Sequence, residues 1–187
     1  MRLPLSDRQY DRFMSWTLQT LTRFHKKLHR ASGGRIGRTL FGKAPILWLI
    51  IPGRVSGITH LTPLLYADDD DGSWIVAGSA GGNSKSPNWA LNASAAASKP
   101  ETECWVERSD ERVRIRITEI LDDSERASAY KRLVSKWRFF QNYAERASRT
   151  IPVFRLIPDE ASRRSREASR RSREASRRSR EASRRSP

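Results

Sequence analysis

The chain has 187 residues, of which 36 are Lys or Arg and 21 are Asp or Glu, so its formal net charge at pH 7 is +15. This length fits one domain, since domains commonly contain about 100–200 residues. The single cysteine, Cys104, excludes an internal disulfide and a multi-cysteine metal site. The longest apolar run, APILWLIIP at 44–52, is about half of the ~20 residues that cross a bilayer, so no membrane-spanning helix is expected.

The N-terminal residues, 1–31, predict an amphipathic helix. Ser6 and Gln9 form a capping-box pattern, and apolar side chains then recur at helical spacing, at Tyr10, Phe13, Met14, Leu18, Leu21, Phe24 and Leu28. A basic amphipathic helix packs on its own domain or lies on an anionic membrane, and the apolar stripe favours packing. His25 and His29 are four residues apart but lack the other residues of a zinc motif, so they are interpreted as surface cations and no metal is expected.

Short apolar segments bounded by turn residues predict six β-strands, at 46–51, 61–66, 74–77, 103–106, 113–120 and 153–157. Within the fifth, Val113, Ile115 and Ile117 alternate with arginines, which predicts one buried and one wet face. The run of aspartates at 68–71 before Gly72 is typical of a polar hairpin turn, and it lacks the ligand spacing of a calcium loop.

A second helix is predicted to begin near Asp122, where acidic residues precede Tyr130, Leu133 and Trp137 at helical spacing. Strands followed by turns, with few helices, predict an antiparallel α+β domain, most economically a small barrel or curved sheet with helices at its openings. No glycine fingerprint stands in the strand–turn–helix context of a βαβ nucleotide fold.

Three turn segments carry residue types suited to a ligand. Residues 53–64 (GRVSGITHLTPL) place Arg54 and Ser56 beside backbone amides that could hold a phosphate or carboxylate. Residues 77–82 (AGSAGG) would let a flat ligand approach the backbone closely. The third segment is 86–92 (SPNWALN), and ordinary strand-end turns explain all three patterns equally well. Cys104 is interpreted as an inert buried thiol, and no hydrolase constellation is found.

The order of these motifs resembles the deazaflavin (F420)-dependent nitroreductase and F420H2-dependent quinone reductase family. The resemblance covers about residues 30–158, including the glycine-rich segment 32–38, and rests on GR-x-SG-x(4)-TPL, S-x-GG, P-x-W-x-x-N and Y-x(5)-R-x-IPV, the last from Tyr143 to Val153. It implies a split β-barrel that binds coenzyme F420, with hydride transfer from the reduced deazaflavin to a quinone-like or nitroaromatic acceptor. Few catalytic side chains are then expected, because the cofactor carries the chemistry.

The resemblance also implies roles for individual residues. Those expected to bind the cofactor are Arg54, Ser56, Gly57, His60, Ser79, Gly81, Gly82, Lys85, Pro87, Trp89 and Asn92. Those expected to line the acceptor side are Trp137, Phe139 and Phe140. Tyr143 has an ionisable hydroxyl and is the candidate proton donor.

An alternative hypothesis is a degenerate, non-catalytic split-barrel binding protein that has lost F420 affinity. Val55, Ile58 and His60 stand where the family usually has cations, Ala80 stands where a lysine is common, and Phe140 replaces a usual tyrosine. Charged contacts to an anionic group are worth ~1.5–3 kcal/mol each, so their loss would weaken binding.

The remaining expectations concern organisation and partners. Residues 160–187 repeat the unit EASRRSR and carry 11 Arg and 4 Glu, so +7 of the total +15 lies there and +8 in residues 1–159. We expect helix 1–31, barrel 32–158 and a disordered low-complexity tail at 159–187. The expected partner is a small hydrophobic acceptor. The resemblance is compatible with a homodimer. It is also compatible with peripheral contact between the first helix and the inner face of the plasma membrane. Nucleic acid is not an expected partner, and the expected location is cytoplasmic.

Overall fold

The computed structural model describes residues 6–31, 39–40, 44–108, 111–162 and 164. The helices are α1 (Asp7–Ala31), α2 (Asn88–Ala97), α3 (Asp123–Lys136) and α4 (Phe139–Arg146), with a single 3₁₀ turn at Ala80–Gly82. The strands are β1 (Thr39–Leu40), β2 (Ala44–Pro52), β3 (Thr59–Leu65), β4 (Ala67–Asp68), β5 (Trp74–Ala77), β6 (Cys104–Arg108), β7 (Glu111–Glu119) and β8 (Val153–Pro158).

Antiparallel pairing curls the sheet into a barrel. The strands follow one another in the order β2, β6, β7, β8, β5 and β4, and β3 pairs with the other edge of β2. Because β3 and β4 are separated by Tyr66 alone, the same stretch of chain pairs first with β2 and then with β5. The circuit of strands is closed in this way, and the predicted α+β split β-barrel is confirmed.

Two apolar clusters lie on the two faces of this sheet. The barrel interior contains alternate residues of the strands, including Leu47, Leu49, Val113, Ile115 and Ile117. A second cluster packs α3 and α4 on the outer face of β5 and β8, through residues such as Ile75, Leu133 and Phe140. Strand β5 is therefore buried on both faces, which accounts for its continuous run WIVA.

The structure adds helices that the sequence pattern did not indicate. The segment at 86–92 was interpreted as a turn, but Pro87 is the N-cap of the ten-residue helix α2. Its sequence, NWALNASAAA, has no charged face, because its small side chains, Ala90, Ala93 and Ala96, pack directly into the barrel cluster. In the region of the predicted second helix, the chain forms two helices, α3 and α4, joined at Trp137 and Arg138.

Helix α1 contacts β3 and the 3₁₀ turn at Ala80–Gly82. Phe13 and Trp16 remain exposed at 48% and 66%. Among the described residues no helix is long and apolar enough to cross a membrane. The side chains of His25 and His29, the glycine-rich segment 32–38 and most of the repeat segment lie outside the described residues.

The acidic turn between β4 and β5 is held by arginines. Asp69 accepts a hydrogen bond from Arg155 Nε on β8 at 2.9 Å, and Arg132 on α3 pairs with Asp69 and Asp70. The predicted polar hairpin turn is confirmed by the β4–β5 pairing, and its carboxylates tie β8 and α3 to the hairpin.

Candidate functional site

The turn between β2 and β3, residues 53–60, is called the first turn here. Gly53 N–H donates to Ile58 O and Gly57 N–H to Gly53 O, both at 2.8 Å, and Gly57 has a φ of +67° that favours glycine. A Cβ on Gly53 would lie 2.8 Å from Ser56 Oγ and 3.0 Å from His60 Nε2. Glycine at 53 thus lets the Ser56 and His60 side chains share one side of an exposed turn.

Arg54 connects the first turn to α2. Its backbone N–H and its Nη1 both donate to Asn92 Oδ1, at 3.2 and 3.0 Å. Asn92 is buried, and its side-chain oxygen binds both the backbone and the guanidinium of Arg54, a residue that is exposed. The structure therefore brings together Arg54, Ser56, Gly57, His60 and Asn92 from the predicted set.

The second predicted segment forms a tight turn, residues 79–85, called the glycine turn here. Ala80, Gly81 and Gly82 have φ values of +48°, +69° and +84°. Gly82 N–H donates to Ser79 O, and Asn83 N–H to Ala80 O, at 2.9 and 3.4 Å. A Cβ on Gly82 would lie 3.2 Å from the Tyr143 carbonyl oxygen, so this glycine allows the turn to pack against α4.

Helix α1 covers the other side of the glycine turn, which the sequence did not indicate. The Tyr10 hydroxyl donates to Gly81 O at 2.7 Å, and the carboxylate of Asp11 accepts from Ser84 N–H. The Arg146 guanidinium lies 3.5 Å from the centre of the Tyr10 ring, a cation–π contact from α4 to α1. The turn is thus enclosed between α1 and α4.

Asn83 is a further residue that sequence reasoning missed. Its side chain is buried, and Nδ2 donates to Ser15 Oγ at 2.9 Å. Its Oδ1 has no hydrogen-bond partner among the described residues. A buried amide oxygen without a donor is costly, so an N–H or O–H group that reached this oxygen would lower that cost.

Helix α2 contacts the first turn and the residue that precedes the glycine turn. A Cβ on Gly78, next to the glycine turn, would lie only 2.8 Å from Ala90 Cβ, and two residues further along α2 Asn92 binds Arg54. Trp89, also predicted, packs against the barrel cluster with its ring 5.8 Å from Phe154. Lys85 is exposed just before the helix.

Aromatic side chains of α3 and α4 gather beside the glycine turn. The Trp137 and Phe139 rings lie 5.2 Å apart, with Phe139 48% exposed, whereas Phe140 is only 4% exposed and stands edge-on to Tyr143 at 5.8 Å. Tyr130, which was not predicted as a site residue, donates its hydroxyl to Phe140 O at 2.7 Å.

Tyr143 is half-buried, and that burial raises the pKa of its hydroxyl, an effect partly opposed by a hydrogen bond from the Trp137 indole. Burial also raises the pKa of the Tyr130 hydroxyl. Both groups therefore hold their protons at neutral pH.

The residues present fit the cofactor that the resemblance implies. Its anionic tail needs a cation and N–H or hydroxyl donors, and the first turn offers the Arg54 guanidinium, the His60 imidazole and the Ser56 hydroxyl. Its flat ring would approach the glycine turn at the partly exposed Ala80, because the neighbouring Ser79, Gly81, Gly82 and Asn83 are buried. Val55 and Ile58, at 89% and 66% exposure, are apolar and add no charge to the first turn.

Comparisons with known proteins agree with this description. The chain shares 40% identity over 72 residues with an F420H2-dependent quinone reductase of Mycobacterium tuberculosis (strain H37Rv), covering 38% of this chain and 48% of that protein. The matched stretch thus spans about half the length of that curated relative. A solved F420-H2 dependent reductase (FDR-A) superimposes with a TM-score of 0.53 and 26% identity over 64% of this chain and 98% of that one.

Another solved structure, described as a domain-swapped dimer, has a TM-score of 0.52 and 26% identity over 61% of this chain and 81% of that one. The model of the F420H(2)-dependent quinone reductase family matches residues 21–158. The predicted cofactor, reduced coenzyme F420, is the one for which this family is named. Because the match extends over well more than half of the 187 residues, the chain belongs to the F420H2-dependent quinone reductase family.

Proposed function

We propose that the protein is an F420-dependent oxidoreductase that transfers a hydride from the reduced deazaflavin to a flat, hydrophobic acceptor such as a quinone or a nitroaromatic compound. One observation carries the proposal: α2 contacts the first turn through Asn92 on Arg54 and contacts Gly78, the residue just before the glycine turn, through Ala90, so the two turns lie near the same helix. Family membership supplies the cofactor class.

In this proposal the first turn binds the tail. Arg54 offers a guanidinium held in place by Asn92, and Ser56 and His60 add a hydroxyl and an imidazole on the same side. Gly57 has open space where a Cβ would stand, so its backbone is accessible to an anionic group. Lys85 brings a further cation between the two turns.

The glycine turn orients the ring in the same proposal. Ser79, Gly81 and Gly82 form the buried base of this turn, and the ring would meet it at the partly exposed Ala80. The resemblance assigns Pro87 and Trp89, at the start of α2, to the other side of the ring. Bound F420 in its reduced form would supply the hydride. The protein contributes position and exclusion of water, the two effects that a buried turn between α1 and α4 can provide.

Tyr143 supplies the proton. Its hydroxyl is protonated at neutral pH because burial raises its pKa, a rise that a hydrogen bond from Trp137 only partly opposes. A phenol in that state donates a hydrogen bond to an acceptor oxygen as negative charge develops there. The partly exposed Phe139, stacked near Trp137, offers a flat apolar surface for a quinone ring.

The alternative function is that of a binding protein without hydride transfer. Its specific support is the exposure of Val55 and Ile58 on the turn that would hold the anionic tail. The two functions differ in their requirement for F420 affinity, and a single titration separates them.

The test is a fluorescence titration of the full chain with F420, followed by single-turnover oxidation of F420H2 by a soluble quinone. Saturable binding and quinone-dependent oxidation are expected. No saturable binding at high micromolar cofactor would contradict the proposal. Val55→Lys is the matched variant, because residue 55 is fully accessible and one charged contact gains about tenfold in affinity. Binding that appears only in this variant would establish the alternative.

A further inference from the structure

Arg149 lies in the loop between α4 and β8, inside the motif that starts at Tyr143. Its guanidinium donates to five backbone carbonyl oxygens, at distances of 2.8 to 3.4 Å: those of Gly78, Ser79, Asn83, Lys85 and Thr150. Nη2 reaches the carbonyls of Gly78, Ser79 and Lys85, and Nε and Nη1 reach one carbonyl each, so all three guanidinium nitrogens donate to backbone. Such an arrangement is a cross-link between separate chain segments.

Four of these carbonyls lie at the two ends of the glycine turn. Gly78 and Ser79 precede the left-handed residues 80–82, and Asn83 and Lys85 follow them. Inside the turn, the two short-range hydrogen bonds are those to Ser79 O and Ala80 O. Ala80 at a φ of +48° holds a conformation that a residue with a side chain rarely adopts, so its shape depends on ties from outside the turn.

We propose that Arg149 is a positioning residue that fixes the glycine turn in the shape that orients the deazaflavin ring. This inference rests on the proposed function, since it assigns the ring to that turn. Arg149 acts through the carbonyls of Gly78, Ser79, Asn83 and Lys85 and needs no contact with the ligand.

The barrel itself does not depend on this cross-link. Strand β5 pairs with β8 from Trp74 to Ala77, and Gly78 N–H continues the ladder to Pro152 O at 2.8 Å. Losing the guanidinium therefore loosens the turn and leaves the strands in place. Because the first turn would still hold the tail, the hydride-transfer rate should fall more than cofactor affinity does.

The proposal is tested with Arg149→Lys, whose single point donor cannot span both ends of the turn. The control is Arg132→Lys, which alters a guanidinium of α3 that pairs with Asp69 and Asp70 in the acidic turn. Hydrogen exchange without ligand is expected to show at least about tenfold faster exchange of the Gly82 and Asn83 amides in R149K but not in R132K. Unchanged exchange in R149K would overturn the cross-link.

With cofactor, R149K is expected to oxidise F420H2 about 10- to 100-fold more slowly in a single turnover, while its F420 dissociation constant rises far less. Guanidinium ion added to Arg149→Ala should restore part of the rate and slow the turn exchange. A normal rate in R149K, or an equal loss in rate and affinity, overturns the positioning role of Arg149 and leaves the proposed function standing. A wild-type chain that binds no F420 overturns the proposed function and the ring assignment together, whatever the exchange of the turn.

Discussion

Gly78 marks the closest approach between the end of β5 and the segments that flank it, and replacing it by alanine is a sharp test of the site's architecture. The new methyl group would lie 2.8 Å from Ala90 Cβ and 2.9 Å from Pro152 Cγ. Ordinary carbon–carbon contacts lie near ~3.5–4.0 Å, so α2 or the β8 segment must retreat by about 0.7 Å or more. Neither atom belongs to a side chain that can rotate away.

Overpacking of this kind destabilises the folded protein by about 1–3 kcal/mol. Alanine also lowers the conformational entropy of the unfolded chain, which offsets roughly 0.4–1 kcal/mol of that loss. A net loss of about 1–2 kcal/mol in the free energy of unfolding is therefore expected for Gly78→Ala. For a chain of this length that lowers Tm by about 2–8 °C. The same movement would separate α2 from the glycine turn and weaken F420 binding.

The assay is a double-mutant cycle by urea denaturation. Ala90→Gly alone should destabilise α2 by about 1 kcal/mol, but in the Gly78→Ala background it also removes one of the two close contacts. The double mutant should therefore be more stable than the sum of the single changes by roughly 1 kcal/mol. Gly72→Ala is the control, because Gly72 has no atom within 4 Å of an added Cβ and should not couple to residue 90. Strict additivity for Gly78 and Ala90, or a Gly78→Ala protein as stable as the wild type, would refute the reasoning.

Three further predictions follow from single side chains. Tyr143→Phe should keep the fold and F420 affinity but lower quinone turnover at least about tenfold in steady-state kinetics, because the proton donor is lost. Asn92→Asp should keep the acceptor for Arg54 but neutralise its charge, so F420 affinity should fall about tenfold in a titration while the urea midpoint is preserved. Asp122→Ala should lower stability at pH 7 but not in strong acid, as measured by denaturation at both pH values.

The pH dependence of the last prediction follows from the N-cap of α3. Asp122 Oδ1 accepts from Ser124 and from Glu125 N–H, and these hydrogen bonds hold the pKa of its carboxyl below the ordinary value. Its contribution is thus present above the unfolded pKa of about 4 and is lost as pH falls through the lower folded value. An Asp122→Ala effect that persists in strong acid would contradict this cause. Turnover retained in Tyr143→Phe would remove Tyr143 as donor, and unchanged affinity in Asn92→Asp would remove Arg54 from the tail site.

The strands were predictable because their patterns are local. Alternation in β7 placed Val113, Ile115 and Ile117 inside the barrel, as found. Helix α2 was not predictable from periodicity, since its buried residues are three alanines and Asn92 and its exposed face carries no charge. Small residues pack closely but produce no amphipathic signal.

In the candidate site, too, local motifs were predictable and long-range contacts were not. The glycines, Arg54 and the serines of the two turns are visible as motifs, and their functional roles stay predictions. The contacts that assemble the site join distant positions, such as Tyr10 with Gly81 and Arg149 with Gly78, each 71 residues apart. A single sequence contains no local signal for such pairs, because they arise when the barrel closes and brings the segments together.

Strand β8 is the last of the described strands along the chain, yet it lies between β5 and β7 in the sheet. Until residues 153–158 pair, β5 and β7 each have an unpaired edge. Strand β5 then also lacks β8, with which it forms the outer face that α3 and α4 pack against. Folding therefore requires a central strand to pair with neighbours that are distant in the sequence, a non-local step that is intrinsically slow. Changes that weaken β8 should appear first as aggregation during refolding, before any loss of equilibrium stability is measurable.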